Sequence, residues 1–374
     1  IIMSVNYSSV IPENNKSSYS EYDTIDFVMT FENQSLKLGS VRLEGDLEVL
    51  YDGTPLNTAA NQAKEIRYDK MVGIHGCIES VQTEMLGETV ENLTEYPRMV
   101  KQYAVARNNA GDMFNSSRVC ELRVPIESLT TEIMRGEEPR VQVSAPIRNN
   151  PDFSCKLDTV LNSSSDMMPY SRSGAIRISL NLARVNSFLY GLDVDNKVTY
   201  SLKDLRLVYR TSDGMDNKSP ITLRRRINIK QSIQSSLANI QVKVPSTQVE
   251  AFSSSFQVQS QENTARYNNL TLEKIPELQQ LTFLFNDQSN ANITYLLKSN
   301  TEVLDKFIEA MGDTGRNSLA IPDQDNTTGY GVGLKMSGGT IDLTNQKFSV
   351  QIDSAISNSR PLVYYMYFHT LLQV

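Results

Sequence analysis

Residues 40–50 read Ser-Val-Arg-Leu-Glu-Gly-Asp-Leu-Glu-Val-Leu, and this stretch decides the fold class. Its apolar side chains at positions 41, 43, 47 and 49 alternate with polar ones, and Gly45 leaves one apolar place without a side chain. A period of two is typical of a strand with one buried face, because successive side chains point to opposite sides of a sheet. The stretch therefore predicts a half-buried β-strand.

The segment before this stretch repeats the pattern. Ile25, Phe27, Met29 and Phe31 are apolar, with Asp26 and Thr30 between them, and only the short connection 33–39 separates the two runs. Short connections usually join strands that are neighbours in space. The two runs therefore predict an adjacent pair of strands.

Much of the remaining chain also carries runs of strand length. We expect strands at Ile66–Tyr68, Val72–Glu79, Val119–Ile126, Val141–Ile147, Ala175–Leu182, Leu202–Tyr209, Ile221–Ile229, Ile240–Val244, Phe252–Val258, Leu281–Phe285, Ile293–Leu297, Phe348–Ile352 and Leu362–Phe368. Roughly fourteen short strands with few helices predict an all-β protein built from β-sandwiches or barrels.

Two places break the β rhythm. The stretch Val90–Ala106 is expected to hold one or two helical turns that Pro97 interrupts, because proline removes a backbone donor. Thr301 is expected to cap a helix over Glu302–Met311, where apolar residues recur at spacings of three and four, and Gly312 closes it.

Turn-rich segments divide the chain into parts. Residues 1–20 are polar and without periodicity, which predicts a flexible N-terminal arm that is mobile until something binds it. The loop at 211–220 is rich in turn residues and predicts a boundary between a β-domain over 21–215 and a second β-domain over 216–374. The alternative is a single jelly roll completed by the C-terminal strands, with the middle of the chain inserted as an outer domain.

The run Leu362–Phe368 has no polar face. A strand that is apolar on both sides lies either between two packed layers or beneath another subunit. We expect the first, because strands buried on both faces read as continuous apolar runs.

Composition excludes several classes of protein. A net charge of −7 and a pI near 5.1 argue against a nucleic-acid-coating role, for which basic residues are concentrated on one face. The sequence has no continuous apolar stretch long enough to span a membrane and no signal-peptide pattern at its start. Cys77, Cys120 and Cys155 are odd in number and widely spaced, which predicts reduced cysteines in an intracellular protein.

No residue set predicts a catalytic, cofactor or metal site. His75 and Cys77 are two potential zinc ligands where three or four are needed, and His369 ends an apolar strand. The acidic pairs Glu137-Glu138 and Asp193/Asp195 are typical of solvated turns. A glycosidase that uses scattered carboxylates stays open, because sequence alone does not place two carboxyl groups in a cleft.

Two motifs invite a phosphate-binding interpretation. Residues 329–333, Gly-Tyr-Gly-Val-Gly, lack the spacing and the following helix of a dinucleotide fingerprint, so a hairpin or surface loop within 317–339 is expected. Arg224-Arg225-Arg226 lies in a predicted strand, where Arg224 and Arg226 share one side, which favours a surface strand with salt-bridge partners.

Several motifs resemble those of jelly-roll capsid proteins from virophages, Polinton-like elements and nucleocytoplasmic large DNA viruses. The similar segments are 40–47 (SVRLEGDL), 72–81 (VGIHGCIESV), 95–98 (EYPR), 173–180 (SGAIRISL) and 200–210 (YSLKDLRLVYR). Their order and spacing match over about residues 20–210. The resemblance implies an all-β fold with a viral jelly-roll sandwich followed by a second β-sandwich or barrel and few short helices.

The resemblance also implies a structural role without an enzymatic step. The short chain, and the sequence ESVQTEMLGETVENLTEYPRMV in place of a Tyr-Pro-Tyr turn, indicate the penton (minor capsid) protein of a Sputnik-type virophage. The implied partners are itself, as a homopentamer, the major capsid protein and minor shell proteins, at the vertex of a virion assembled in the host cytoplasm. The alternatives are a double-jelly-roll major capsid protein, which forms trimers, and a β-sandwich adhesin or receptor-binding module.

Overall fold

The computed structural model describes residues 5–56, 58, 60–61, 64–69, 71–107, 120–123, 151–213, 220–246, 248–272, 274–286, 293–297, 300–311, 330–355 and 360–374. The strands within these ranges are β1 (Val5–Val10), β2 (Ser18–Tyr19), β3 (Thr24–Met29), β4 (Gln34–Lys37), β5 (Arg42–Tyr51), β6 (Thr54–Pro55), β7 (Arg67–Tyr68), β8 (Ile78–Met85), β9 (Glu88–Thr94), β10 (Asp152–Lys156), β11 (Met167–Pro169), β12 (Ile176–Leu182), β13 (Leu189–Tyr190), β14 (Val198–Asp213), β15 (Thr222–Ile233), β16 (Leu237–Val242), β17 (Val249–Val258), β18 (Leu278–Phe285), β19 (Ile293–Leu296), β20 (Val332–Lys335), β21 (Phe348–Ser354) and β22 (Leu362–Gln373).

Helices are few and mostly short. The α-helices are α1 (Tyr96–Arg107), α2 (Tyr170–Ser173), α3 (Val185–Phe188) and α4 (Asn300–Ala310), and 3-10 turns occupy Gly73–Cys77, Val160–Asn162 and Gln259–Gln261. The predicted all-β class is confirmed.

Eight strands up to Asp213 form the first sandwich. One sheet has the order β1-β14-β5-β10, and the facing sheet has the order β3-β12-β8-β9. The short strands β2, β4, β6 and β11 extend the first sheet. Side chains from both sheets meet in one core, with Leu43, Phe27 and Ile178 fully buried.

The second sandwich, from Thr222 onward, repeats this wiring. Its sheets have the orders β15-β22-β17-β20 and β16-β21-β18-β19. In both sandwiches the first strand pairs with the eighth, the eighth with the third and the third with the sixth, while the second pairs with the seventh, the seventh with the fourth and the fourth with the fifth. Eight antiparallel strands in two sheets with long crossings form a jelly roll. The chain therefore contains two jelly rolls in succession, and the insertion alternative does not describe it.

The predicted arm over residues 1–20 is wrong for residues 5–19. Residues Val5–Val10 form β1, which pairs antiparallel with β14 over the whole range Leu207–Ser212, and Ser18–Tyr19 pair with the same strand. The polar composition predicted no strand here, because β1 is an edge strand and its side chains at positions 6–10 are half-buried or exposed. Backbone hydrogen bonds, rather than apolar burial, hold β1 in the sheet.

Strand β22 lies in the middle of the molecule, as expected for a run without a polar face. It pairs with β15 on one side and with β17 on the other. Val363, Tyr365 and Tyr367 pack into the core that contains the first sandwich, whereas Tyr364 and Met366 pack into the core of the second. The two faces of one strand thus belong to two hydrophobic cores.

Three local predictions are wrong. Pro97 does not interrupt a helix but is the second residue of α1, where its missing N–H would have had no partner anyway. The strand expected at Val72–Glu79 begins only at Ile78, after a 3-10 turn. Val332–Lys335, expected in a loop, form a strand. The strand expected at 141–147, half of the one at 119–126, and Gly312 lie outside the described residues, and residues 120–123 are not in a strand.

The structure explains why glycine, and not an apolar side chain, stands at position 45 of the alternating pattern. Opposite it, β14 carries a bulge between Lys203 and Arg206 that lets the Leu205 side chain enter the space. A Cβ at Gly45 would lie 2.6 Å from Leu205 Cδ2 and 2.7 Å from the Lys203 carbonyl oxygen. Gly45 and the bulge therefore fit each other.

We expect Gly45→Ala to lower the free energy of unfolding by about 1–3 kcal/mol, because the added methyl overpacks a site bounded partly by backbone. Urea denaturation followed by circular dichroism measures this. Gly338→Ala is the matched control, since nothing lies within 4 Å of a Cβ at that position. Equal midpoints for the Gly45 variant and the wild type would contradict the proposed fit.

Candidate functional site: a buried polar junction between the two jelly rolls

The candidate site is the surface where the first jelly roll covers the outward face of the second. The covering elements are β9 and α1, and the covered elements are β15, β22 and β17. Asn228 Nδ2 donates to Thr94 Oγ1 at 2.8 Å and the Thr94 N–H donates to Asn228 Oδ1 at 3.1 Å. Tyr367 Oη donates to the Glu95 carbonyl oxygen at 2.9 Å. Side chains of both rolls are bonded to one another here, from the exposed Thr94 at the rim to the buried Tyr367.

Arg98 is the central cation of this junction and is 2% exposed. Its guanidinium carbon lies 3.9 Å from the centroid of the Tyr365 ring. The guanidinium donates to Gln257 Oε1 at 2.5 Å and to the carbonyl oxygens of Thr271 and Asn269. A planar cation with several donors suits a site built from one aromatic face and fixed acceptors. Arg98 therefore joins α1 to three segments of the second roll.

A second buried cation, Arg226, meets the carboxylate of Glu91. The Arg226 side chain donates to Tyr103 Oη at 3.1 Å, and its backbone N–H donates to Glu91 Oε1 at 3.4 Å. Glu91 also accepts a hydrogen bond from the Val160 N–H at 2.8 Å. Burial raises the pKa of Glu91 to about 7, against the opposing effect of Arg226. The carboxylate therefore titrates near neutral pH.

His369 takes part in a hydrogen-bonded chain in the same junction. Ser253 Oγ lies 2.9 Å from His369 Nε2, and Tyr103 Oη lies 3.1 Å from His369 Nδ1. The Ser253 hydroxyl donates to Gln102 Oε1 at 2.8 Å. A serine beside a histidine is also part of a hydrolase site. Here Ser253 is 0% and His369 4% exposed, so the pair faces other side chains and not a cleft.

The three consecutive arginines have separate roles, and the predicted surface strand is only partly right. Arg224 is exposed and forms a salt bridge with Glu250 at 2.9 Å. Arg225 is half-buried and donates to Thr370 Oγ1. Arg226 is buried in the junction, because the outward face of β15 at this point is covered by the first roll. A sequence pattern does not show which part of an outward face meets another sandwich.

His75 and Cys77 are buried and form hydrogen bonds with neighbouring groups of the protein. Tyr96 Oη lies 2.8 Å from His75 Nδ1, and the Cys77 thiol donates to the Ile74 carbonyl oxygen at 3.0 Å. Burial raises the pKa of the Cys77 thiol. In the part of the chain that the structure describes, no three His, Cys, Asp or Glu side chains come together in an arrangement that could hold a metal ion.

The other weighed motifs also have local partners. Asp193 accepts hydrogen bonds from Lys64 Nζ and from the Glu65 N–H, and Asp195 accepts one from the Lys197 N–H. Glu137 and Glu138 lie outside the described residues. None of the four α-helices described combines the length and apolar character that a membrane crossing requires.

Two glycines of the 329–333 motif, Gly331 and Gly333, leave room for a packed helix. A Cβ at Gly331 would lie 2.5 Å from the Phe307 ring of α4, and one at Gly333 would lie 2.7 Å from Ala310 Cβ. The helix rests directly on β20, and side chains there would push it away. The motif therefore marks a close approach of helix and strand.

The junction residues carry weak sequence signals. Ser253, Ser255 and Gln257 take alternate places in β17, and polar residues along one face of a buried strand are a sign of a buried network. Tyr365 and Tyr367 supply the second face of a strand whose first face is already apolar. For Arg98 and Glu91 the neighbouring sequence gives no such sign.

We expect Arg98→Lys to lower the free energy of unfolding by about 2–4 kcal/mol, because lysine cannot cover the Tyr365 ring while bonding the same acceptors. We also expect it to split thermal unfolding into two transitions, measured by calorimetry. Arg206→Lys is the control, since Arg206 forms an exposed pair with Glu44, and it should change stability by no more than about 0.5 kcal/mol. A single transition at the wild-type temperature would contradict the role of Arg98.

Glu91 is expected to make stability depend on pH between about 4.5 and 7. The folded protein holds this proton more tightly than the unfolded chain, whose glutamate has the usual pKa of 4.5. Protonation therefore favours folding, so the contribution is fully present below pH 4.5 and is lost as pH rises through about 7. Its size is on the order of 1–3 kcal/mol.

The measurement is the free energy of unfolding from pH 5 to pH 8 for wild type, Glu91→Gln and the exposed control Glu88→Gln. Relative to Glu91→Gln, the wild type should be more stable at pH 5 than at pH 8. The Glu88→Gln variant should follow the wild-type curve. Parallel curves for wild type and Glu91→Gln would refute the assignment.

Comparison with known proteins gives no match to a protein-family model and no match among curated proteins. Solved structures do match. The Faustovirus major capsid protein has a TM-score of 0.62 at 9% identity, over 100% of this chain and 90% of that chain. PBCV-1 VP54, fitted into a reconstruction of the virophage Sputnik, has a TM-score of 0.61 at 10% identity, over 100% and 95%.

A chain from the cryo-EM structure of the Sputnik virophage has a TM-score of 0.58 at 9% identity, over 99% of this chain and 85% of that chain. Identities this low speak to fold alone. The resemblance seen in the sequence is thus confirmed at the level of the fold. The chain has the fold of jelly-roll viral capsid proteins over its whole length.

Proposed function

We propose that this chain is a structural subunit of an icosahedral viral shell and performs no enzymatic step. The observation that carries the proposal is the repeated jelly-roll wiring, matched over the full chain by major capsid proteins. A fold alone can host many functions. The buried junction adds support, because it fuses two rigid sandwiches into one block, and a shell requires blocks that keep their shape.

We further propose that the two jelly rolls are the two domains of the chain, divided between Asp213 and Thr222. This is close to the boundary expected from the turn-rich loop at 211–220. It assigns the N-terminal strand β1 to the first domain.

Within a shell, we favour the place of a double-jelly-roll major capsid protein. Three copies of a chain with two similar sandwiches give six sandwiches around a three-fold axis, which approximates the six-fold symmetry of a capsid face. The full-length likeness to two major capsid proteins supports this place. The second candidate is the pentameric vertex, which is favoured by the sequence at residues 79–100 in place of a Tyr-Pro-Tyr turn.

Both places imply partners of the same kind. The chain would bind copies of itself, and at a vertex it would also contact the major capsid protein and minor shell proteins. Its location would be the virion, after assembly in the cytoplasm of the host cell. Specific nucleic-acid binding is not part of the proposal, in keeping with the net charge of −7.

The subunit count of the purified protein tests the proposal. Native mass spectrometry, with light scattering at several concentrations, is expected to show trimers. Pentamers, alone or on addition of a major shell protein, would support the vertex place instead. A chain that stays monomeric and is indifferent to any shell protein would overturn the shell proposal and favour an adhesin-like module.

A further inference from the structure

The two jelly rolls have equivalent strands, and this equivalence identifies an uncovered counterpart of the junction. Within the chain, the fifth strand of roll one, β9, packs on the outward face of the first strand of roll two, β15. By position in the wiring, β15 corresponds to β1, and β9 corresponds to β19. Both β1 and β19 are edge strands, and within the described part of the chain no second sandwich covers their exposed side chains.

The face around β1 carries an exposed aromatic ring and a group of cations. Tyr7 is 69% exposed, and the guanidinium carbon of Arg210 lies 4.8 Å from its ring centroid. Arg42, Lys156 and Lys37 line the cleft beside them, together with one carboxylate, Glu44, which is paired with Arg206. Among the described residues, none of these four cations forms a salt bridge, although the whole chain is acidic. We call this surface the basic face.

The edge around β19 has the complementary character. Leu296 is 61% exposed on β19, and α4, which follows, exposes Glu302, Asp305 and Glu309 on one side. Burial, together with Glu302 and Glu309, raises the pKa of Tyr295 on this strand to about 12. Glu309 is also paired with Lys306 of the same helix at 3.0 Å. We call this surface the acidic edge.

The filled junction shows the same distribution of charge. There, Lys230 Nζ of the second roll lies 2.7 Å from Glu95 Oε1 of the first. Glu91 of the first roll accepts a hydrogen bond from the Arg226 backbone N–H, and the charge of Arg226 opposes the rise in the pKa of Glu91. In the junction and in the two uncovered surfaces alike, the carboxylates lie on the fifth strand of a roll (β9 or β19) or in the residues that follow it. The cations lie on the outward face of the sheet that contains the first strand of a roll (β15 or β1). The basic face and the acidic edge are thus matched in position and in charge.

We propose that the acidic edge of one copy packs against the basic face of a second copy, so that the contact between chains repeats the contact within the chain. This inference rests on the proposed self-assembly. The contact joins two different surfaces, and such head-to-tail contacts close into a ring when the rotation permits. Tyr7 and Leu296 supply apolar area at the centre, and the charges fix register and exclude wrong pairings.

Charge reversal tests the proposal. The variants are Arg210→Glu with Lys156→Glu on the basic face, Glu302→Lys with Glu309→Lys on the acidic edge, and all four changes in one chain. Each double variant should keep its circular dichroism spectrum and raise the apparent dissociation constant of the oligomer by about 100-fold or more, because like charges then face each other. The fourfold variant should recover assembly.

The control reverses two exposed charges elsewhere, Lys243→Glu with Arg266→Glu, and should assemble like the wild type. A wild-type oligomer that both double variants form equally well would overturn this inference and leave the shell proposal standing. A wild-type chain that remains monomeric would overturn both. Binding of a fluorescent oligonucleotide that is lost in the basic-face variant, with assembly intact, would assign the cations to nucleic acid instead.

Discussion

The structure depends on one strand that serves two hydrophobic cores. Side chains on one face of β22 fill the second sandwich, and those on the other face fill the space beneath β9 and α1 of the first. A strand in this position has no face in contact with solvent. Its outward face includes Tyr365 and Tyr367, which are aromatic residues that also carry hydroxyl groups. The polar junction follows, since each buried hydroxyl, guanidinium and carboxylate needs a partner once water is excluded. Arg98 over Tyr365 and Tyr367 on the Glu95 carbonyl are such pairings.

Much of the fold could be predicted from local patterns. The alternation in β5 and β12 follows directly from one-sided burial, and the two-sided character of β22 follows from its position between layers. The failures have physical reasons. β1 is held by its backbone, so its side chains carry no apolar signal, and Pro97 is compatible with a helix because it lies in the first turn. Strand pairing is non-local and joins residues as far apart in sequence as Val5 and Ser212, so local patterns do not contain the repeated wiring.

The candidate site was harder to predict than the fold. Histidines and glycine-rich motifs recur in catalytic and phosphate-binding sites, so the sequence favours them as candidates. In the structure, the residues around them show that they contribute to packing and hydrogen bonding. Phe307 accounts for Gly331, and Tyr103 and Ser253 bond His369. The hydrogen bonds that join the two rolls come instead from residues such as Arg98 and Glu91. Their importance comes from what covers them, which a strand or helix considered alone cannot reveal.

The position of β22 also determines the order in which the chain can mature. During synthesis β1 cannot pair until β14, about 200 residues later, has been made. In the same way, β15 cannot pair until β22 has been made. Long-range pairings of this kind close slowly. A nascent or prematurely ended chain without residues 362–373 has no partner for β15 along its whole length, an incomplete second core and an open surface on α1. Completion of the last strand thus closes the second core and the junction together, so that unfinished chains differ from finished ones in shape as well as in length.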